Sequence, residues 1–290
     1  MTEHTVHSDR LDLKAWTGPD NGPTVLFVHG YPDTHAVWDP VMDRLADRFR
    51  CLTYDVRGAG ASGTPASRDG YELANLVTDL VAVMDTLSPE RPVHLVAHDW
   101  GSIQAWEAVV RARWERRLTG RIASYTTISG PCLAHLQAFV AAARHGGWDR
   151  RREALTQAVR SWYIYAFCVP VLPEPVLRSI TKRPALVRAL LGTGHFGPTL
   201  PRDAAAGVNL YRANMNGYRP PPQGATTKLP VQLVVPTKDR YVDPAVYRDL
   251  ASYAPDLTRA EITGGHWVPR SHPDRLAAAI TDFVLAHPLE

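Results

Sequence analysis

Lysine is scarce in this chain. Lys14, Lys182, Lys228 and Lys238 are its only lysines among 32 basic residues, and arginine supplies the rest. The skew fits codon bias in a GC-rich genome and carries no functional message by itself. Cysteine is scarce too. Cys51, Cys132 and Cys168 lie far apart without Cys-x-x-Cys spacing, which argues against a disulfide framework or a zinc site and for a reducing compartment. No apolar run approaches the ~20 residues of a spanning helix, and the first ten residues hold no apolar signal-peptide core. The expectation is a cytoplasmic protein with no membrane partner. The net charge is only +3 and no basic run is interleaved with aromatics, so no nucleic-acid partner is expected. Internal repeats and low-complexity tracts are also missing. The closing Leu289-Glu290 is compatible with an expression-vector remnant.

The 290 residues, 45% hydrophobic and 21% charged, suit one large globular domain with an insertion. Thr5 to Trp16 alternates loosely and supplies one or two strands, and Val25-Leu26-Phe27-Val28 is a clear one. A helix face at Val41, Leu45 and Phe49 precedes a strand at Cys51-Leu52-Thr53-Tyr54. A helix over 71–87, a strand over 93–98 and a strand over 122–129 follow. Residues 131–227 are helical, with aromatic and proline-rich breaks and no strong strand; Pro220-Pro221-Pro222 reads as a hinge. Alternation resumes with a strand over 231–235, a helix over 244–253, a strand near 259–263 and a helix over 273–286. Strands alternating with helices imply an α/β fold, a mainly parallel sheet flanked by helices. The expected organisation is a core of 1–130 and 228–290 with an inserted helical cap at 131–227.

The stretch from Val93 to Ser102 organises the chain. An apolar strand runs into Ala97-His98-Asp99-Trp100-Gly101, then into a helical pattern at Ile103, Ala105, Trp106, Val109 and Val110. Small residues two before and two after Asp99 match a nucleophile elbow, the sharp strand-to-helix turn that lifts one side chain clear of the backbone. Here the nucleophile position holds Asp. A carboxylate attacking an acyl group gives an unproductive anhydride, whereas attack on a saturated carbon gives an ester that water can cleave. The substrate should carry a strained or good leaving group on saturated carbon, such as an epoxide or a halide. The bland alternative is an Asp that only caps the following helix.

Asp239 and His266 each follow an expected strand, and the carboxyl ends of parallel strands converge on one sheet edge. Nucleophile, acid and histidine thus fall in order at positions where they can meet. With these residues the chain resembles the α/β-hydrolase-fold epoxide hydrolases over nearly its whole length. The resemblance is carried by His29-Gly30-Tyr31-Pro32, Asp55-Val56-Arg57-Gly58-Ala59-Gly60-Ala61-Ser62, His98-Asp99-Trp100-Gly101 and Gly265-His266-Trp267. It is closer still to the hydrolase half of actinobacterial proteins that fuse an epoxide hydrolase to a short-chain dehydrogenase. No dinucleotide-binding Gly-x-Gly-x-x-Gly segment is expected here. The first and third motifs are shared with haloalkane dehalogenases.

The resemblance implies two ring-opening tyrosines. Ser161 to Phe167 is similar to the segment that places one at Tyr163, and Asn209-Leu210-Tyr211-Arg212 to the segment that places the other at Tyr211. Phe167-Cys168-Val169-Pro170 departs from the family's Phe-Gln-x-Pro. The implied reaction is Asp99 attack on an epoxide, then hydrolysis of the ester by water that His266 activates, with Asp239 orienting the imidazole. Backbone N–H groups of Tyr31 and Trp100 would meet the oxyanion. The resemblance also implies a cis bond before Pro32. No metal or organic cofactor is required. Trp100, Trp162 and Trp267, with Tyr165, Phe167 and Phe196, suggest a pocket for a small, mostly apolar epoxide, in a monomer or homodimer. Halide chemistry is the alternative on the same triad, but Tyr31 offers no side-chain amide to a departing halide. A non-catalytic ligand-binding protein is the other alternative, and it would be favoured by loss of a triad member; none is lost.

Overall fold

A computed structural model describes residues 1–215 and 217–288, which leaves Leu289-Glu290 outside the described residues. Strands β1 (Thr2–Ser8) and β2 (Leu11–Thr17) form a hairpin at one edge. Then come β3 (Thr24–Val28), α1 (Asp39–Leu45), β4 (Arg50–Tyr54), α2 (Leu73–Leu87), β5 (Val93–His98), α3 (Trp100–Arg111) and β6 (Ile122–Ile128). Six helices follow in succession: α4 (Leu133–His145), α5 (Trp148–Arg160), α6 (Trp162–Cys168), α7 (Pro173–Thr181), α8 (Pro184–Leu191) and α9 (Leu200–Asn214). The chain then returns to β7 (Val231–Pro236), β8 (Leu257–Ile262), α10 (Val268–Ser271) and α11 (Pro273–Ala286).

The eight strands lie in the order β1-β2-β4-β3-β5-β6-β7-β8, with β2 antiparallel to both of its neighbours and all pairs from β4 to β8 parallel. Strands β3, β5 and β7 are buried along their whole length, as expected of a parallel sheet covered on both faces. Successive side chains point to opposite faces. Leu26, Val28, Leu95 and Ala97 enter the apolar layer shared with α2 and α3, whereas Val25, Phe27, Val96 and Val234 enter the layer shared with α1 and α11. This α/β-hydrolase architecture brings the carboxyl ends of the parallel strands β3, β5, β7 and β8 to one edge.

Two local expectations fail. No α-helix spans 244–253; Pro244–Tyr247 and Leu250–Ser252 are separate 3₁₀ turns. The two turns are separated at Arg248-Asp249, and Tyr247 and Leu250 are both buried. Asp243 caps the first turn by accepting from the Ala245 N–H at 3.0 Å. The residues Gly58-Ala59-Gly60-Ala61-Ser62-Gly63 do spell Gly-x-Gly-x-x-Gly, against the expectation that none is present. They open no helix, since the next α-helix starts at Leu73, and an internal carboxylate occupies the loop: Asp55 Oδ2 accepts from the Ala61 N–H at 2.7 Å. The context of a dinucleotide site is missing.

Candidate active site

Asp99 sits between β5 and α3 at φ 54°, ψ −124°, a region that non-glycine residues rarely occupy. Strain of this kind persists only where the surroundings fix it. The Asp99 N–H donates to the Ile128 carbonyl at 3.0 Å, and its own carbonyl accepts from the Ile103 N–H at 3.1 Å. The elbow is so tight that a Cβ on Gly101 would lie 2.3 Å from the Val28 carbonyl oxygen, and one on Gly30 would lie 2.5 Å from Asp99 Oδ1. Although Asp99 stands at the helix N-cap, its side chain makes no capping bond. It turns instead to the loop after β3, where the Tyr31 N–H donates to Oδ1 at 2.8 Å. The Tyr31–Pro32 peptide is cis. Trp100 is the first residue of α3, where a backbone N–H has no acceptor within the helix.

The loop after β8 carries His266 to this point. Its Nε2 lies 3.5 Å from Asp99 Oδ2, and its Nδ1 lies 3.0 Å from Asp239 Oδ2. Asp239, just past β7, is held by the Tyr241 N–H at 2.8 Å from Oδ1. Burial by itself would push the His266 imidazole down. The charge and hydrogen bond of Asp239, helped by Asp99, reverse this and raise it to about 10. Asp239 responds in the opposite sense: burial would raise its carboxyl, but His266 holds it down at about 2. His266 and Asp239 thus favour each other's charged forms as a buried ion pair, with Asp99 on the far side of the imidazole.

Above Asp99 stand the two phenols. Tyr163 projects from α6 and Tyr211 from α9, their rings edge-on with centroids 6.0 Å apart. Burial raises the Tyr163 phenol far above its ordinary range, and the Asp99 charge adds to that. Burial, Tyr163 and Asp99 push Tyr211 the same way. Both shifts favour the protonated phenol, the form that can donate. Asp99, Tyr163, Tyr211 and His266 share one apolar-walled cavity of about 540 Å³ between the sheet edge and the helices.

Of the expected pocket aromatics, Phe167 and Trp267 line this cavity, and Trp162 lines it while remaining largely exposed. Trp100 does not line it; its indole lies behind Tyr211, ring centroids 4.9 Å apart. Phe196 packs on Trp267 outside the cavity wall, and Tyr165 is exposed on α6. Seven-residue α6 turns only part of its surface inward, so neighbouring aromatics diverge.

Asp33 and His98 also pack around the site, and neither is among the expected site residues. Asp33, on the same loop as Tyr31, accepts from the Trp267 indole at 2.9 Å and pairs with His195 Nε2 at 2.6 Å. This buried carboxylate ties the Tyr31 loop to the His266 loop and to the segment between α8 and α9. His98 packs against His266 with ring centroids 4.7 Å apart, and burial keeps it neutral by lowering it to about 4. Its Nε2–H donates to the His266 carbonyl at 3.0 Å. The only sequence signal for His98 is its place beside Asp99.

An α/β sheet with an elbow, a carboxylate at the nucleophile position and an Asp-His pair at the next strand ends defines a hydrolase fold. The chain belongs to the α/β-hydrolase fold family, which matches residues 23–167. It is 39% identical over 277 residues to the probable oxidoreductase EphD of Mycobacterium tuberculosis strain H37Rv, covering 92% of this chain and 46% of that protein. The chain thus spans about half the length of that relative. Epoxide hydrolase A of the same organism is 27% identical over 272 residues, covering 91% of this chain and 72% of its own. Among solved structures, the epoxide hydrolase of Bacillus megaterium superposes with a TM-score of 0.78 at 18% identity, covering 97% of this chain and 99% of the other.

Proposed function

We propose that the chain is an epoxide hydrolase that opens a small, mostly apolar epoxide to a vicinal diol through an ester on Asp99. The observation that carries this reading is one apolar cavity in which a carboxylate faces two protonated phenols. An opening epoxide leaves negative charge on an oxygen that stays attached to the substrate, and phenol donors answer that need directly. The epoxide hydrolase names of the relatives at 25–27% identity support the same reading. In this scheme residues 131–227 form a cap over a core made of 1–130 and 228–290.

Asp99 Oδ2 attacks a ring carbon, the C–O bond breaks, and the alkoxide takes a proton from Tyr163 or Tyr211. The imidazolium of His266 restores that proton, leaving a neutral imidazole. Esterification also removes the Asp99 charge that helps hold His266 protonated, which favours the neutral base. His266 then deprotonates a water that attacks the ester carbonyl. The Tyr31 and Trp100 N–H groups receive the oxyanion, and collapse releases the diol with the Asp99 carboxylate and the imidazolium regenerated. Asp239 orients the ring and stabilises its charged form. A panel of terminal and disubstituted epoxides run beside chloro- and bromoalkanes tests the assignment. Diol formation from epoxides with no halide release is expected; the reverse pattern would overturn it.

A further inference from the structure

Residues 131–227 hold twelve basic side chains against four acidic ones, in a chain whose totals are 32 and 29. Positive charge is therefore concentrated on the helices over the cavity, and the rest of the chain is net acidic. Arg150, Arg160, Arg202 and Arg212 are tied up in ion pairs. Arg151, Arg152, Arg178, Lys182, Arg183 and Arg188 are exposed and form no ion pair among the described residues.

The same helices expose large apolar side chains. Along α5, Trp148, Arg152, Leu155 and Val159 recur at intervals of four and three, so they share one face, and Trp162 opens α6 beside Val159 on the same cavity. Trp148 is 78% exposed, Leu155 65% and Trp162 68%. The stripe ends at the cavity, which Val159 and Trp162 line, and exposed Leu190 of α8 lines it as well. Contiguous apolar exposure of this kind marks an interaction surface.

We propose that this face docks on the surface of an anionic phospholipid bilayer, with Trp148, Leu155 and Trp162 in the interfacial layer and the free arginines against the headgroups. No helix among the described residues is long and apolar enough to cross a membrane, so the contact is peripheral. It departs from the sequence-based expectation of no membrane partner. Charge disfavours a second copy on this face, because a two-fold pairing would set one basic patch against another. A protein seated permanently over Val159, Trp162 and Leu190 would close the cavity, whereas fluid lipid leaves it open to an apolar molecule dissolved in the bilayer. The inference rests on the surface alone and does not depend on the chemistry at Asp99.

Flotation of the purified chain with phosphatidylglycerol/phosphatidylcholine vesicles, beside phosphatidylcholine alone, tests it without any turnover measurement. Binding to the anionic vesicles, a blue-shifted tryptophan emission and weakening at 0.5 M salt are expected. Arg151→Glu with Arg152→Glu should weaken binding at least about 10-fold. Trp148→Ser with Leu155→Ser should weaken it and abolish most of the blue shift. All four positions are exposed, so unchanged melting temperatures are expected in both variants. No binding to anionic vesicles, equal binding to neutral ones, or full binding by both folded variants would overturn the proposal. So would a dimer in light scattering that Trp148→Ser with Leu155→Ser dissociates, since a second copy would then occupy the face.

Discussion

The backbone N–H of Tyr31 donates to Asp99 Oδ1 at 2.8 Å, which leaves Oδ2 as the carboxylate oxygen nearer His266 Nε2, at 3.5 Å. The two oxygens of one carboxylate are thereby made different. On the proposed mechanism, Oδ1 rests where the oxyanion would be stabilised and Oδ2 is the oxygen that attacks. In a single turnover in oxygen-18 water, the first diol should carry no label and the label should enter Asp99. Labelled diol from that first turnover would mean that water opens the ring directly and that Asp99 is not the nucleophile.

Removing the imidazole should separate the two half-reactions. With His266→Gln the Asp99 carboxylate can still attack, but no base remains to activate water. Intact-mass spectrometry should show protein heavier by one substrate, with turnover reduced by about 10²-fold or more. A variant that turns over normally and carries no adduct would remove His266 from the hydrolytic step.

The phenols should act in the first half-reaction. Tyr163→Phe and Tyr211→Phe preserve the ring contacts with each other and with Phe167 while deleting one donor each. By analogy with loss of a single oxyanion donor, each should slow alkylation by roughly 10²–10³-fold. Stopped-flow tryptophan fluorescence can read ester formation separately from its hydrolysis, which should change far less. Wild-type alkylation rates in both variants would make the tyrosines packing residues only.

Stability should depend on pH through the buried Asp239–His266 pair. His266 is raised in the folded state, to about 10 from 6.5, so its contribution is complete below the lower value and fades as pH climbs toward the higher. Asp239 is depressed to about 2 from 3.8, so its contribution is present above 3.8 and fades on acidification. The stability difference between wild type and His266→Gln should therefore be widest between pH 4 and 6.5 and should shrink toward pH 10. Urea denaturation across that range measures it; a difference that grows with alkalinity would contradict the pair's charge state.

Asp33 should matter to both stability and rate, although it stands outside the triad. Asp33→Ala strips the Trp267 indole and His195 of a shared acceptor in a buried site. Leaving a buried donor without its partner costs about 1–3 kcal/mol. Denaturant unfolding should show a loss of that order, with slower turnover as the Tyr31 and His266 loops lose their common anchor. A loss under about 1 kcal/mol would mean that the loops are held in place by other contacts.

Local pattern alone determined much of this protein. The short apolar runs at β3, β5 and β7 read as buried strands because of their length and their bounding turn residues. The small residues around Asp99 specified the elbow for a steric reason that needs no partner elsewhere: the turn has room for little beyond glycine or alanine. The order of Asp99, Asp239 and His266 at strand ends was legible because a parallel sheet gathers its carboxyl ends at one edge. What tertiary structure decided are relations between distant residues. Asp33 meets His195 across 162 positions and Trp267 across 234, and no periodicity encodes such pairings. Whether an aromatic faces the cavity depended on helix rotation, which brought Phe167 in, set Trp100 behind Tyr211 and left Tyr165 in solvent. The segment over 244–253 had a helix's composition. It folds instead as two 3₁₀ turns separated at Arg248-Asp249, with Tyr247 and Leu250 buried, an outcome its local pattern did not specify.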